Sequence, residues 1–219
     1  MPIVRTEIVK PYLILCEGRD AEGFLINYLE SKTLSYDKRF SNDIQVLNFG
    51  GISELDNYLM NLKNMEKFEQ VKSLAIIRDA EKDYSKACRE VTNSLRKSDI
   101  ATPECCGKWI QNDTGLNVGY ILFPLNSKAG TLEDLCLQII SEDNGKEISS
   151  SIEAFLLEME KSYGRKYRRK HKNVLHTYLS TSDEYVTMPL GMASKAGAFS
   201  WDSTYLAPLK SFLSGGFSY

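Results

Sequence analysis

The chain has 219 residues, a formal net charge of −2, 42% hydrophobic and 26% charged residues. This is ordinary globular composition, enough for one good core with a small appendage, and it excludes a low-complexity or strongly polyanionic chain. There is no run of about 18 uninterrupted apolar residues, so no transmembrane helix is expected.

The first segment, MPIVRTEIVKPYLILCEG, has too short an apolar stretch and no small-residue cleavage site, so a signal peptide is not expected. Its apolar end, 11–16, reads as a strand running into a turn at Cys16-Glu17-Gly18. Helical periodicity follows over 20–32, a second strand over 44–49, and a further helix over 52–66. The third strand candidate is 73–78 (SLAIIR), followed by a helix over 82–98 whose apolar face is Tyr84, Ala87, Cys88, Val91 and Leu95. The fourth is 118–123 (VGYILF), followed by Pro124 and a helix from 130 to 141, with Thr131 as N-cap and Asp134 in capping-box position. Alternating strands and helices at this spacing predict an α/β fold with a mainly parallel central sheet covered on both sides.

After residue 145 the texture changes. Residues 149–180 look helical and increasingly basic, a Gly-, Ser- and Met-containing stretch follows, and the chain closes on an amphipathic piece at 203–213. The expected organisation is a core over 1–145 with a helical extension over 146–219 packed on it. Five cysteines (Cys16, Cys88, Cys105, Cys106, Cys136), odd in number and without a C-x-x-C pair, fit a reduced, cytoplasmic protein. A zinc site from Cys105, Cys106, His171 and His176 is disfavoured, because adjacent cysteines suit tetrahedral ligation poorly.

Charge is unevenly distributed. Residues 161–172, KSYGRKYRRKHK, hold seven Lys or Arg interleaved with two tyrosines. Arg165, Lys166, Arg168, Arg169 and Lys170 are candidate contacts to a phosphate backbone, the plainer alternative being a solvated surface.

Acids gather at two strand ends: Glu17 with Asp20 after the first, and Asp79, Glu81 and Asp83 after the third. In open α/β sheets ligands bind beyond the carboxyl ends of strands, near the switch point. Extended residues i and i+2 share a face, so Asp79 and Glu81 are expected to point into one crevice with Asp83 arriving from the next helix. With Glu17 from a neighbouring strand, such carboxylates suit a hard ion, Mg²⁺ or Mn²⁺. Each acid also has a plainer role as a helix cap or solvated turn residue.

"LILCEGRDAEGFL" with "LAIIRDAEKD" resembles the Toprim domain shared by topoisomerases, bacterial primases, recombination proteins and OLD-type nucleases. "NFGGISEL" fits the glycine turn after its second strand, and later segments resemble small stand-alone Toprim-like proteins. The resemblance implies a Rossmann-like core, with Glu17 as the family's glutamate and Asp79 as the first aspartate of its Asp-x-Asp pair. The second acid is Glu81 here, one methylene longer. The implied activity is metal-dependent nuclease or phosphodiesterase chemistry on DNA or RNA. Asp79, Glu81, Asp83 and Glu17 would hold metal, and Glu17 would double as general acid/base. Glu133, with Asp134, would complete a second site, the plainer alternative being charge that complements a helix N-terminus, and Lys195 would hold a phosphate or leaving oxygen, the plainer alternative being a surface lysine.

No G-x-x-x-x-G-K-[ST] loop, assignable strand-passing tyrosine or primase zinc module is present, so topoisomerase and replicative primase fit poorly. An ATPase or other partner would have to be encoded separately. The alternatives are a non-catalytic module binding nucleic acid or a nucleotide, and a small-molecule phosphotransfer enzyme.

Overall fold

The computed structural model describes residues 7–31, 42–142 and 145–217. Its sheet has five strands: Tyr12–Cys16 (β1), Ile44–Asn48 (β2), Ser73–Asp79 (β3), Trp109–Gln111 (β4) and Asn117–Phe123 (β5). They lie in the order β2-β1-β3-β5-β4, parallel except for β4, which pairs antiparallel with β5 at the edge. Eight α-helices occur among the described residues. They are Arg19–Glu30 (α1), Leu55–Lys63 (α2), Tyr84–Lys97 (α3), Leu132–Glu142 (α4), Lys146–Tyr163 (α5), Lys170–Leu179 (α6), Leu190–Ala196 (α7) and Ala207–Gly216 (α8).

β1 is buried throughout and β3 in all but its last residue, as expected of parallel strands covered on both faces. Side chains alternate between two apolar clusters. Ile14, Cys16, Ala75 and Ile77 join one cluster with α1, α4, α6, α7 and α8. Leu13, Leu15, Leu74 and Ile76 join the other with α2 and α3. The chain leaves β1 for β2 on one side and returns to β3 on the other. The switch point therefore lies between the carboxyl ends of β1 and β3, which is where an α/β sheet opens a crevice.

The four expected strands are all present. The 20–32 helix is α1, position 32 lying outside the described residues, and the 52–66 helix is a 3₁₀ turn at Ile52–Glu54 running into α2. Two elements were not expected. β4 has three residues, too few for an alternating pattern to register. α7 lies in the Gly-, Ser- and Met-containing stretch. The 149–180 region is two helices, α5 ending at Gly164 in the left-handed conformation (φ 64°). No helix among the described residues is long and apolar enough to cross a membrane, and all five cysteines are free.

The C-terminal helices are sewn onto the sheet. The Trp109 indole N–H donates to the Phe212 carbonyl (2.9 Å), while Ser73 Oγ and Asn117 Nδ2 donate to that of Gly216 (2.6 and 3.1 Å). α7 lies against α1 where Gly23 faces Gly191, and Asn27 Nδ2 donates to the Gly191 carbonyl and to Ser194 Oγ (2.9 and 2.8 Å). A Cβ at Gly23 would sit 2.9 Å from the Gly191 Cα, a backbone atom that cannot step aside. Gly23→Ala should therefore lower stability in urea by about 1–3 kcal/mol through overpacking. A gain of roughly 1 kcal/mol, as helix propensity alone dictates, would contradict this close approach.

Candidate functional site

The register of β1 on β3 decides which residues meet. Cys16 pairs with Ile77, so Glu17 falls beside Arg78 and not beside Asp79, and its N–H donates to the Ile77 carbonyl (3.3 Å). Alternation turns Arg78 toward α3. There its guanidinium, 2% exposed, donates through Nε to Glu17 Oε2 (3.1 Å) and through Nη1 to Glu90 Oε2 (2.8 Å). An unpaired buried guanidinium would be very costly, and two carboxylates offset that cost. The other oxygen of Glu17 accepts the Ile52 N–H (3.2 Å). Burial raises the Glu17 pKa, and nearby Glu81 adds to the rise, more than Arg78 and the Ile52 N–H counter it.

Asp79, one residue on, belongs to the opposite face. Its Oδ1 accepts the Leu132 N–H (2.8 Å) at the start of α4, where the helix dipole favours a negative charge. Burial nonetheless pushes its carboxyl up to about 7, helped by Glu133 and then by Glu17 and Glu81. Glu133 itself is 3% exposed and bonded at both oxygens, by Lys172 Nζ (2.6 Å) and Thr131 Oγ1 (2.7 Å). Burial would raise its pKa, but those two bonds outweigh it and hold the carboxyl below its usual range. Burial likewise lowers the Lys172 ammonium, yet Glu133 and Asp79 together leave it raised. The Asp134 carboxylate accepts the Thr131 N–H (2.8 Å), the acid half of the expected capping box.

One expectation for the acids needs correction. β3 ends at Asp79, and Glu81 has φ 55°, so the extended i, i+2 relation does not hold between them. Glu81 instead exchanges both backbone hydrogen bonds with Gly130 (2.8 and 2.7 Å), leaving its side chain exposed. Asp83 is the N-cap of α3, its Oδ1 accepting the Lys86 N–H (2.9 Å). The α3 side of the switch point is a crevice of about 320 Å³, with Glu17, Arg78, Glu81, Asp83, Lys86 and Glu90 in its walls. Among the described residues, no group of three His, Cys, Asp or Glu stands ready-made for a metal ion.

Lys195 is exposed on α7, and no described bond or charge interaction links it to these acids. The cations that do reach them are Arg78 and Lys172. Arg165, Lys166, Arg168, Arg169 and Lys170 are exposed where α5 passes into α6, and Lys172 in the first turn of α6 ties this basic segment to Glu133.

Residues 11–218 match the model of the family described as "Protein of unknown function (DUF3226)". The chain belongs to that family. No curated protein matches this DUF3226 chain. Among solved structures it is similar to the C-terminal region of the Xanthomonas campestris pv. campestris OLD protein, in two structures. One, phased with iodine, shows 15% identity and a TM-score of 0.42 over 94% of this chain and 95% of that one. The other, phased with mercury, shows 13% identity and a TM-score of 0.44 over 94% and 96%.

The Asp79 pKa has a definite consequence for stability. A carboxyl whose folded pKa is raised keeps a proton that the unfolded chain releases. Asp79 should therefore make stability fall as pH rises between about 4 and about 7. Asp79→Asn preserves the acceptor for the Leu132 N–H and should flatten that fall, leaving the variant at least as stable as wild type at pH 8. An unchanged pH slope in urea unfolding would show that Asp79 ionises freely.

Proposed function

We infer that this DUF3226 chain is a divalent-cation-dependent protein that processes phosphodiesters in DNA or RNA, with Asp79 at the centre of its site. The observation that carries this reading is an imbalance of charge at the switch point. Glu17 is met by Arg78 and Glu133 by Lys172, while among the described bonds Asp79 has only the Leu132 N–H. A half-buried carboxylate among other acids holds its charge at neutral pH at a cost, and an added cation removes that cost.

The donor set fits Mg²⁺ or Mn²⁺. Asp79 and Glu81 would hold the ion, and Glu17 can join, since each of its oxygens accepts one described hydrogen bond and keeps a further lone pair. With no third acid preassembled, the ion would retain several waters, as Mg²⁺ commonly does. Bound there, it would supply Lewis-acid neutralisation of charge on a phosphate oxygen. Glu17, fixed by Arg78 and Ile52, would accept or return a proton at that edge. Asp83 serves its helix in this reading, Glu133 positions Lys172, and Lys195 has no part. The Toprim-like motifs around Glu17 and Asp79 support the same chemistry.

A second reading has its own support. Because Arg78 and Lys172 already neutralise two of the acids, the site can also be read as a binding module that turns nothing over. Salt-dependent nucleic-acid binding without Mn²⁺-dependent cleavage of single- or double-stranded substrates would favour it.

Two outcomes test the leading reading. Mn²⁺ should raise the melting temperature of the wild type, since an ion at about 100 times its Kd adds roughly 2.7 kcal/mol. Asp79→Asn should lose most of that shift, and an intact shift in the variant would remove Asp79 from the site. For the basic segment, replacing Arg165, Arg168 and Arg169 by Ala should flatten the salt dependence of nucleic-acid binding by about 0.7–0.9 per lost contact. An unchanged slope would make the segment a solvated surface.

A further inference from the structure

A second cavity, of about 360 Å³, opens at the β5 edge of the sheet. Trp109, Leu122, Leu125 and Phe212 give it an apolar lining. Hydroxyls come from Tyr84, Ser127 and Ser211, and the Tyr84 hydroxyl contacts both Ser127 and the Cys106 thiol. Its one charged lining residue is the exposed Lys108. On a chain carrying 29 acids, this cavity is walled without a carboxylate, which would suit a ligand that is neutral within and anionic at the rim. The volume lies at the small end of ligand sites, roughly 300–1,000 Å³.

Two segments of the chain link the cavity to the acid site. Tyr84 directly follows Asp83, which lines the neighbouring crevice. Leu125 and Ser127 belong to the connection that leaves β5 and continues to Gly130, bonded to Glu81, and to Leu132, bonded to Asp79. Leu125 and Ser127 both have positive φ (72° and 59°), backbone conformations that bend this connection between the two sites.

Resting on the reading of the acids as a phosphodiester site, we propose that this cavity takes the base and sugar of one nucleotide, the adjoining phosphate lying toward the acids. Apolar and aromatic walls with a few hydroxyls suit an unstacked heterocycle, whose edge offers both donors and acceptors. The Lys108 ammonium at the rim suits a phosphate. The site would thus take single-stranded or unpaired nucleotides, because a base held in a duplex stack cannot turn out into a cavity.

The test uses the full chain and simple probes: adenosine and uridine 5′-monophosphates, with ribose 5-phosphate and inorganic phosphate as base-free controls, titrated calorimetrically. Ser211 and Lys108 are exposed, so Ser211→Trp, which fills the mouth, and Lys108→Glu should leave the fold intact. At least one nucleoside monophosphate should bind with one site per chain, about tenfold more tightly than ribose 5-phosphate. Each variant should lose about tenfold in that affinity. Equal binding of nucleotide and ribose 5-phosphate, no nucleotide binding, or nucleotide binding untouched by Ser211→Trp would overturn the proposal. The Mn²⁺-induced rise in melting temperature is read on the same samples. Its presence without nucleotide binding sinks the cavity alone, and its absence with nucleotide binding sinks the acid site alone.

Discussion

The buried guanidinium of Arg78 fixes the carboxyl end of the sheet. It joins the turn after β1, through Glu17, to the second turn of α3, through Glu90, and it does so from the penultimate residue of β3. Losing one partner of a buried pair costs about 3–5 kcal/mol, because the other charge is left unmatched in a poor solvent. Glu17 is consequently a rigid group, whose position is set by β1–β3 register and two hydrogen bonds.

The opposite face of the sheet repeats the arrangement with different residues. Glu133 and Lys172 make the ion pair there, joining α4 to α6. Each face thus holds an acid bonded to a resident cation, while Asp79, at the carboxyl end of the central strand β3, has no cation bonded to it among the described contacts. Its partial burial, its hydrogen bond from α4 and its acidic neighbours all follow from two adjacent strand ends meeting at the switch point. Leaving β5, the chain runs past the Tyr84 cavity to Gly130 and Leu132, which bond Glu81 and Asp79.

Much of this was legible in the sequence. Buried parallel strands such as PYLILC and SLAIIR read as continuous apolar runs, and the acids that follow them stand out by charge. Arg78 and Lys172 did not stand out. Arg78 closes an apolar run, and its burial depends on the register of a strand some sixty residues away. Lys172 is one of seven basic residues in a short segment, and only the packing of α6 on α4 separates it from six others. Pairings of this kind are tertiary and leave no local periodicity. Glu81 failed for a backbone reason: pairing with Gly130 forces a left-handed turn that ends the alternation expected of an extended strand.

The central claim is that the acids at the ends of β1 and β3 form a cation site around Asp79. The most direct measurement is anomalous diffraction from crystals soaked in Mn²⁺. The account predicts a peak within coordination distance of the Asp79 carboxylate, shared with Glu81 or Glu17, while Arg78 stays bonded to Glu90. Ordered acids with no peak beside Asp79 would contradict it, as would Mn²⁺ bound only elsewhere on the surface.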